Sequence, residues 1–589
     1  MKVCVIGAGA AGLVTAKELQ EVGIEFEVLE KRDNLGGLWY LDEKGSSVSE
    51  KTSATSSKTF LQFSDFPFDK DEDAFPHHSH YIQYLKRYTA AHNLTPHIHY
   101  NCEVLEVTKE GETWRVKANE NGQPYEKVFD GLAICSGLHH VPLIPNFEGF
   151  ENFQGEVIHS AFLKDSSELA GKRVVVVGGG ESAADFVHEL TTIASKVSMS
   201  LRRGLALTRH WSPYGLPGDY DSTRAKVWLP RTYLHDYNVS CRSEDVPSAF
   251  KTLYVLLGLP ILLGMLAISY QRSIQLLKAL FDWRSWSALF QEVPRYGPAC
   301  GVSLAQDCRE LCKEPPQSEA DVQKRVWKLK TLMDWYSGSM HNSQPFTKRI
   351  AFVEDIVRGT AQLLPGIAKC QGGKQVEFAD GTVEEVDVVL LCTGFQSTLP
   401  FFPLIPQLDG RNLYKNIFVP YEKNVGFIGY VRPNVGSLPA VTEMQARWFA
   451  GVLAGKLSLP SQSVMEKAIQ EDGDTYTRNR PHHVNRHTSL VDYHVYMEQL
   501  AGFVGCRPQL WRFWSQPQLL YKLLFGPMGC FQYRFHGYGA KPEAAYSAVA
   551  MIPPLPNDRV LLHTILYFVL KPWFLLLSGF GFKRFRPVF

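Results

Sequence analysis

The sequence predicts an α/β protein with two Rossmann-like dinucleotide-binding domains, the second inserted in a discontinuous first. A short apolar strand followed by a glycine-rich turn and an amphipathic helix occurs twice, at residues 2–30 and 172–203. This pattern is typical of a parallel sheet that binds a nucleotide. An apolar strand that contains a Thr-Gly pair, at residues 386–402, lies far beyond both turns. We therefore expect this strand to return the chain to the first domain.

The first turn, within KVCVIGAGAAG, places Gly7, Gly9 and Gly12 in the pattern G-x-G-x-x-G. The first glycine permits a tight turn, the second lets the backbone approach a pyrophosphate, and the third lets the helix pack closely on the strand. Glu30 ends the next strand, where a carboxylate accepts hydrogen bonds from a ribose diol. These residues predict a dinucleotide site at the start of the chain.

A glycine pair shortly after this acid indicates which dinucleotide binds. Residues 34–41 read NLGGLWYL, and the two glycines let the chain wrap closely around a cofactor that extends beyond its pyrophosphate. Flavin adenine dinucleotide (FAD) has that shape, because its isoalloxazine ring continues past the phosphates. We assign Gly37, Leu38 and Trp39 to the FAD site; the alternative is a simple turn.

The second turn lies in KRVVVVGGGESAADF and has the pattern G-x-G-x-x-A. We assign to it Gly178, Gly180, Ser182 and Ala183. The next strand ends in Arg202 and Arg203, where the first unit has an acid. A carboxylate would repel a 2′-phosphate, whereas guanidinium groups pair with it, so the second nucleotide is predicted to be NADPH. Thr393 and Gly394, at the end of the later apolar strand, would let the backbone return against a bound nucleotide.

Composition narrows the classes of function. A net charge of +1 over 589 residues argues against a nucleic-acid partner. The 11 cysteines include no C-x-x-C pair, so we predict reduced thiols and no metal site. No redox pair of cysteines follows the first glycine turn, which argues against a disulfide reductase on the same scaffold. No signal peptide precedes the first strand, so we expect the catalytic part to face the cytosol.

With both turns in place, the sequence resembles the flavin-containing monooxygenases over residues 1–204 and 345–540. The family's motifs appear as GAGAAG, GGGESA, FQGEVIH and LCTGF, and LLFGPMGCFQYRFHGYG resembles the tail of its animal, membrane-bound members. The resemblance implies that NADPH reduces FAD and that reduced flavin adds dioxygen as a C4a-(hydro)peroxyflavin. This species then oxygenates a soft nitrogen or sulfur centre of a lipophilic small molecule. In such chemistry the protein excludes water and orients the partners.

Three positions depart from the family's pattern. Thr55 stands where the family usually has an asparagine near the flavin, and a hydroxyl donates one hydrogen bond where an amide donates two; Ser56 is the alternative donor. Glu181 replaces an asparagine beside the second turn, with a structural or a nicotinamide-positioning role, and must point away from the phosphates or meet a donor. We place Thr55, Ser56 and Glu181 in the catalytic set. In FQGEVIHSAFLK, Leu163 stands where an aromatic residue is expected, and we assign His159 a packing role between the domains.

Two apolar stretches predict an association with membrane lipid. Residues 252–271, within a mainly helical insertion at 205–345, carry no charge and are long enough to cross a bilayer. Because the chain must return to complete both domains on the same side, we expect a monotopic insertion or a substrate-tunnel wall; the alternative is a buried core helix. Residues 560–582 are apolar except for His563 and Lys571, and they either span the bilayer or lie in it. The resemblance implies the endoplasmic reticulum membrane.

The expected domain boundaries follow from these observations. They are an FAD-binding part at 1–155, an NADPH-binding domain with its insertion at 156–345, the remainder of both domains at 346–540 and a membrane-associated tail at 541–589. A homodimer that shares one membrane face is compatible with this organisation. The identity of the substrate stays open, because the insertion that shapes its pocket follows no motif.

Four functions are compatible with these motifs. The leading hypothesis is an NADPH- and O2-dependent oxygenase of lipophilic amines or sulfides. One alternative is Baeyer–Villiger-type insertion of oxygen beside a carbonyl group, although HSAFLK lacks the ending that is usual for that group. A second alternative is an NADPH oxidase that releases hydrogen peroxide, which Thr55 favours. A third is a flavin-binding membrane protein with little turnover, against which the paired arginines count.

Overall fold

The computed structural model describes most of the chain up to residue 553. The described ranges are 1–43, 45–208, 210–212, 215–224, 299–337, 347–406, 408–479 and 489–553. The apolar stretch 252–271 and the apolar stretch 560–582 lie outside them, so both membrane segments stay predictions. Within the described ranges, no helix combines the length and the apolar character that crossing a bilayer requires.

A six-stranded sheet, the first sheet, contains the first glycine turn. Its strands lie in the order Phe418–Val419, Glu422–Phe427, Gly131–Ile134, Lys2–Ile6, Glu25–Leu29 and Ile98–His99. All neighbouring pairs are parallel except the pair at the start of this order, which is antiparallel. Val3, Val5 and Val28 are fully buried, as expected for parallel strands that are covered on both faces.

A five-stranded parallel sheet, the second sheet, contains the second glycine turn. Its strands lie in the order Gln362–Pro365, Lys196–Leu201, Arg173–Val177, Val388–Leu391 and Glu156–His159. The expectation that the apolar strand at 386–402 returns the chain to the first domain was wrong, because Val388–Leu391 lies inside the second sheet. The strand Glu422–Phe427 makes the return instead, by pairing with Gly131–Ile134. Hydrophobicity identifies a buried strand but does not say which sheet it joins.

Antiparallel strands and helices complete the described structure. Two three-stranded sheets consist of Cys102–Glu110, Thr113–Glu120 and Gln123–Phe129, and of Ile367–Gly372, Gln375–Phe378 and Val383–Glu385. Val141–Pro142 pairs with Phe395–Gln396, and Arg432–Pro433 pairs with Leu490–Val491. The α-helices are Ala10–Glu21, Lys58–Leu61, His78–Ala91, Glu181–Leu190, Ala299–Leu311, Glu319–Tyr336, Ala351–Arg358, Leu438–Leu453, Gln462–Asn479, Tyr493–Val504, Pro517–Phe525 and Pro542–Ala550.

Residues 510–552, here called the C-terminal unit, form a small core of their own. Phe513 and Leu523 are buried in this core together with apolar side chains of the helix Pro542–Ala550. The predicted membrane-associated tail, which begins at residue 541, therefore starts with a helix that is packed against protein.

A buried cluster of charged side chains ties the C-terminal unit to the first helix. Arg534 is fully buried and pairs with Glu18 at 2.7 Å and with Glu443 at 2.8 Å. Lys17 lies 2.7 Å from Glu18 and 2.9 Å from Asp65. Burial by itself would raise the pKa of Glu18, but Lys17 and Arg534 outweigh burial and lower that pKa to about 2. These buried charges therefore compensate one another.

Candidate active site

The first glycine turn has the geometry that its motif predicts. Gly7 has φ +104°, and a Cβ atom there would lie 2.9 Å from the carbonyl oxygen of Cys135. A Cβ atom on Gly12 would lie 1.8 Å from the carbonyl oxygen of Gly7, so this position of the helix Ala10–Glu21 requires glycine. Gly9 begins that helix without a side-chain cap, and the first turn carries no acidic residue. The helix N-terminus therefore favours an anionic pyrophosphate.

Glu30 follows the strand Glu25–Leu29, as predicted. Its carboxylate accepts hydrogen bonds from the backbone N–H of Ala8 at 2.7 Å and from that of Arg32 at 3.0 Å. Burial raises the pKa of Glu30 in spite of these two donors. The side chain thus holds the glycine turn against the end of the neighbouring strand, and its contact with a ribose stays a prediction.

The glycine pair brings the following segment against the first turn. Gly36 and Gly37 have φ +113° and +56°, a region that glycine enters without steric cost. A Cβ atom on Gly36 would lie 1.9 Å from Cδ1 of Ile82, and one on Gly37 would lie 3.1 Å from Cα of Gly9. The residues that we assigned to FAD from this segment all line one cavity: Gly37, Leu38 and Trp39.

The second glycine turn repeats this geometry in the second sheet. Gly178 has φ +132°, and a Cβ atom there would lie 2.3 Å from a backbone carbonyl oxygen just after the neighbouring strand. Gly180 begins the helix Glu181–Leu190, and a Cβ atom on it would meet no protein atom within 4 Å, which leaves room for a phosphate. Ala183 is buried in the core, whereas Ser182 is exposed.

The two arginines lie at the edge where a second nucleotide is expected. Arg202 and Arg203 follow the strand Lys196–Leu201, which pairs in parallel with the strand that enters the second turn. Parallel strands end at the same edge of a sheet, so the arginines and the turn share that edge. Arg202 is exposed, as a residue that meets a 2′-phosphate must be.

Thr393 and Gly394 lie where the chain leaves the second sheet and meets the segment at Leu143. The Thr393 hydroxyl donates to the carbonyl oxygen of Leu143 at 2.5 Å. The carbonyl oxygen of Gly394 accepts from the N–H of Leu143 at 2.8 Å and from Nε2 of His159 at 3.0 Å. His159 is buried, and these contacts match the packing role that we assigned to it. Leu163, in place of the expected aromatic residue, is 1% exposed and packs in the core beside the second sheet.

A cavity of about 700 Å³ lies beside the first glycine turn and brings several predicted residues together. Those lining it are Gly7, Gly9, Glu30, Gly37, Leu38, Trp39, Thr55, Ser56 and Glu181. The other predicted residues do not line it, and they are Gly12, Gly178, Gly180, Ser182, Ala183, Arg202, Arg203, Thr393 and Gly394. Glu181 is thus the one predicted residue of the second turn that reaches this cavity.

Ser56 is held from two sides at the wall of the cavity. Its hydroxyl donates to the carbonyl oxygen of Gly436 at 2.7 Å and accepts a hydrogen bond from Nζ of Lys348 at 3.1 Å. Thr55 is half-buried and lines the same cavity. Lys348 therefore supplies a cationic donor next to the position at which the family usually has an asparagine.

Glu181 meets donors instead of facing the phosphates. One of its carboxylate oxygens accepts from the N–H of Lys348 at 2.9 Å, and the other accepts from the N–H of Arg349 at 3.1 Å. Burial nevertheless raises the pKa of Glu181. Arg349 in turn donates to the carbonyl oxygen of Ser53 at 3.1 Å and lies 3.6 Å from Asp185. These contacts support the structural one of the two roles predicted for Glu181.

Sequence reasoning missed part of the cavity wall. The residues missed include His139, His140, Asn434 and Lys348. Lys348 and its neighbour Arg349, here called the basic pair, follow an insertion without a motif, so no spacing connects them to residues 53–56. Two adjacent basic residues at the point where the chain re-enters a nucleotide-binding sheet were the available signal.

Asp185 should make the stability of this region depend on pH. Burial raises its pKa to about 7, although Arg349 acts in the opposite direction. In the unfolded chain the pKa of an aspartate is about 4. As the pH rises from about 4 to about 7, the unfolded state loses this proton while the folded state keeps it, so the free energy of unfolding falls. We expect Asp185→Asn to remove this loss, so that the Tm of the variant rises relative to wild type across that window and the difference is constant above about pH 8.

Scanning fluorimetry of the FAD-loaded protein from about pH 5 to about pH 8.5 measures this difference in Tm. Asp69→Asn is the matched control, because the Asp69 side chain is 64% exposed. A difference between Asp185→Asn and wild type that is the same at every pH contradicts the raised pKa.

The fold and the site define a class of protein: an α/β protein with two dinucleotide-binding sheets that meet at one cavity. The residues present fit FAD. Gly7 and Gly12 leave no room for a Cβ atom, so the first turn keeps its tight form, and the helix that follows has an uncapped N-terminus that can face the pyrophosphate. The model of the flavin-binding monooxygenase-like family matches residues 1–234 and 339–552, and the chain belongs to this family. The protein is therefore a flavin-dependent oxidoreductase that uses FAD and NADPH.

Curated relatives cover nearly the whole chain. A 4-hydroxybenzoate brominase (decarboxylating) of Marinomonas mediterranea is 29% identical over 567 residues, which are 95% of this chain and 95% of the relative. Flavin-containing monooxygenase 3 of Homo sapiens is 28% identical over 563 residues, which are 92% of this chain and 90% of the relative. Two relatives that are almost equally identical to this chain in sequence thus carry the names of different reactions.

Solved structures show the same fold. An S-allyl-L-cysteine S-oxygenase from Allium sativum superposes with a TM-score of 0.55 at 18% identity, and the match covers 99% of each chain. An open form of cyclohexanone monooxygenase gives a TM-score of 0.52 at 16% identity, over 85% of this chain and 97% of the other. At these identities the comparison concerns the fold alone.

Proposed function

We propose that the protein is an NADPH- and O2-dependent monooxygenase that oxygenates soft nucleophilic nitrogen or sulfur centres of lipophilic small molecules. The observation that carries this proposal is the cavity, which residues of the FAD turn share with Glu181 and Lys348 from the side of the second turn. Apolar side chains also line it, among them Leu61 and Val435. Bound FAD supplies the activation of dioxygen, and NADPH supplies two electrons.

The protein's own residues hold the reacting groups and limit the access of water. Ser56 is fixed by Gly436 and Lys348, so its hydroxyl keeps one orientation at the cavity wall. Thr55 lines the cavity and would offer one hydroxyl donor to bound FAD. Glu181 keeps the basic pair in place, and through it the Lys348 ammonium group beside Ser56. We therefore assign Thr55 as the hydroxyl donor, Ser56 as the residue that holds the Lys348 ammonium group at the cavity wall, and Glu181 as a positioning residue.

Product analysis with four classes of substrate tests the proposal. The purified, FAD-loaded protein is mixed with NADPH and a lipophilic tertiary amine, a thioether, a cyclic ketone or 4-hydroxybenzoate with bromide. We expect an N-oxide or a sulfoxide, in amounts close to the NADPH consumed. A lactone, or a brominated phenol such as the named activity of the Marinomonas relative suggests, would instead assign the protein to another reaction of the family.

A second candidate function, an NADPH oxidase that releases hydrogen peroxide, is favoured by Thr55. We expect Thr55→Asn to lower the ratio of peroxide released to NADPH consumed by about fivefold, because one added hydrogen bond is worth about 1 kcal/mol. Peroxide and NADPH are measured together in the presence of the tertiary amine or the thioether, because without a substrate every NADPH consumed would release one peroxide.

Thr55→Val is the matched control, because it keeps the shape of the side chain and removes the hydroxyl. It should raise the peroxide ratio if the hydroxyl of Thr55 takes part in retaining oxygen. Equal ratios in the wild type and both variants would mean that position 55 does not influence the fate of oxygen. Stoichiometric peroxide from the wild type, with every substrate class present, would establish the oxidase.

We also propose that the protein associates with the endoplasmic reticulum membrane, with its catalytic domains facing the cytosol. The support comes from the sequence: residues 252–271 and 560–582 are apolar, and Lys583, Arg584 and Arg586 follow the second stretch. After cell fractionation, the protein should stay with reticulum membranes through an alkaline carbonate wash, and protease added outside sealed microsomes should cleave it. Recovery in the supernatant contradicts the proposal.

A further inference from the structure

The C-terminal unit exposes aromatic side chains that the proposed reaction does not use. Trp511 and Trp514 are 70% and 78% exposed, although tryptophan is highly buried on average. They belong to the short 3-10 helix Leu510–Phe513 and its C-cap, whose residues Leu510 and Phe513 are buried in the core of the unit. Residues three apart lie above one another in a 3-10 helix. The two tryptophans therefore share the outer face.

The helix Pro517–Phe525 follows the tryptophans along the chain, and its Leu519, Leu520 and Leu524 pack partly against the core of the unit. Leu523 is fully buried, whereas the partly exposed apolar side chains of the helix are Leu519, Leu520, Tyr521, Leu524 and Phe525. Nζ of Lys522 donates to the carbonyl oxygen of Ala550 at 3.0 Å, which joins this helix to the last described helix. Met551, directly after that contact, is 37% exposed. The exposed large apolar side chains of this small unit are thus Trp511, Trp514, Tyr546 and Met551, and the helix Pro517–Phe525 adds partly exposed ones.

The charged side chains of the C-terminal unit are Arg512, Lys522, Arg534, Lys541 and one acid, Glu543; Arg507, just before the unit, pairs with Glu498 at 3.3 Å. Residues 499–542 contain no aspartate and no glutamate. Arg507 and Arg512 are exposed, and the guanidinium group of Arg512 lies 5.4 Å from the ring centre of Trp511. Exposed tryptophans beside basic side chains are typical of a surface that meets phospholipid headgroups, and the positive charge suits an anionic leaflet.

The chain leaves the C-terminal unit toward its apolar end. Ile552 is buried in the core of the unit, so the segment that follows starts at the unit itself. Residues 560–582 contain no aspartate, glutamate or arginine, and their basic residues are His563 and Lys571. The apolar segment therefore begins eight positions after Ile552, so a bilayer that receives it must lie close to the C-terminal unit.

We infer that Trp511, Trp514 and the exposed side of the helix Pro517–Phe525 form a docking surface for an anionic phospholipid bilayer. This inference rests on the membrane association proposed above and adds a contact that is separate from the apolar tail. The tryptophan rings lie at the level of the headgroups, and the basic side chains face the lipid phosphates. Through this contact the globular part, with its cavity, keeps a defined orientation on the membrane surface.

Quenching of tryptophan fluorescence by brominated lipid tests the surface. Full-length, FAD-loaded protein is placed in nanodiscs of four parts phosphatidylcholine to one part phosphatidylserine, with and without bromine on the acyl chains of the phosphatidylcholine. Three proteins are compared: wild type, the double variant W511F/W514F, and W327F. Trp327 is the matched control, because it is 57% exposed on the distant helix Glu319–Tyr336.

We expect the quenched part of the emission to fall about twofold in W511F/W514F and to stay unchanged in W327F, since tryptophans near the lipid are selectively removed. Residual quenching then comes from tryptophans such as Trp573 in the tail. Quenching in the wild type that the double variant leaves unchanged would overturn the docking surface and leave membrane association intact. A wild type that enters no nanodisc and shows no quenching would overturn both.

Discussion

Replacing Gly12 with alanine is expected to leave the protein without bound FAD. The Cβ atom of alanine would lie 1.8 Å from the carbonyl oxygen of Gly7, so the helix Ala10–Glu21 must move away from the strand before it. Overpacking of this kind costs about 1–3 kcal/mol or more, and each 1.4 kcal/mol is about tenfold in affinity. We expect FAD affinity to fall at least about tenfold, measured by flavin absorbance after gel filtration and by titration of the apoprotein.

Two further substitutions separate a local effect on FAD from general unfolding. A Cβ atom on Gly9 would lie 3.6 Å from Cα of Gly37, an ordinary contact, yet Gly9 lines the cavity. Gly9→Ala should therefore keep the Tm of the apoprotein and still weaken FAD binding. Gly473→Ala, in the helix Gln462–Asn479 where nothing lies within 4 Å, should change neither FAD binding nor the fold. Full FAD occupancy in Gly12→Ala contradicts the assigned role of the turn.

Replacing Arg534 with alanine is expected to lower the free energy of unfolding more than any other substitution proposed for this protein. The substitution leaves the buried carboxylates of Glu18 and Glu443 without their shared partner, and breaking a buried ion pair costs about 3–5 kcal/mol. The effect should appear as a lower midpoint of urea unfolding, followed by intrinsic fluorescence at pH 7. Arg358→Ala is the control, because its pairs with Glu319 and Glu354 are exposed to solvent, which screens them, so their loss should change the midpoint little.

Acid should weaken the same cluster in the wild type. The pKa of Glu18 is lowered to about 2, below its unfolded value of about 4.3, so its contribution to stability is present above pH 4.3 and is lost as the pH falls toward about 2. An Arg534→Ala protein whose unfolding midpoint equals that of Arg358→Ala would show that the buried cluster does not stabilise the fold.

The sequence by itself determined the two nucleotide turns and their cofactors. A G-x-G-x-x-G turn is a local requirement: Gly7 and Gly178 need positive φ, and Gly12 tolerates no Cβ atom. These steric requirements involve residues a few positions apart, so the spacing of glycines in the sequence is enough to identify them. The choice of cofactors also followed from local chemistry: Gly36 and Gly37, both with positive φ, indicated FAD, and Arg202 and Arg203, directly after the strand next to the second turn, indicated NADPH.

Only the tertiary structure decided which distant residues meet. Glu181 binds the N–H groups of a segment 167 and 168 positions away, and Ser56 meets Lys348 across 292 positions. The strand Val388–Leu391 joined the second sheet, although its apolar sequence suits either sheet equally. These contacts depend on the path by which the chain returns from the insertion. That path is set by long-range packing, for which the local pattern of apolar and polar residues carries no signal.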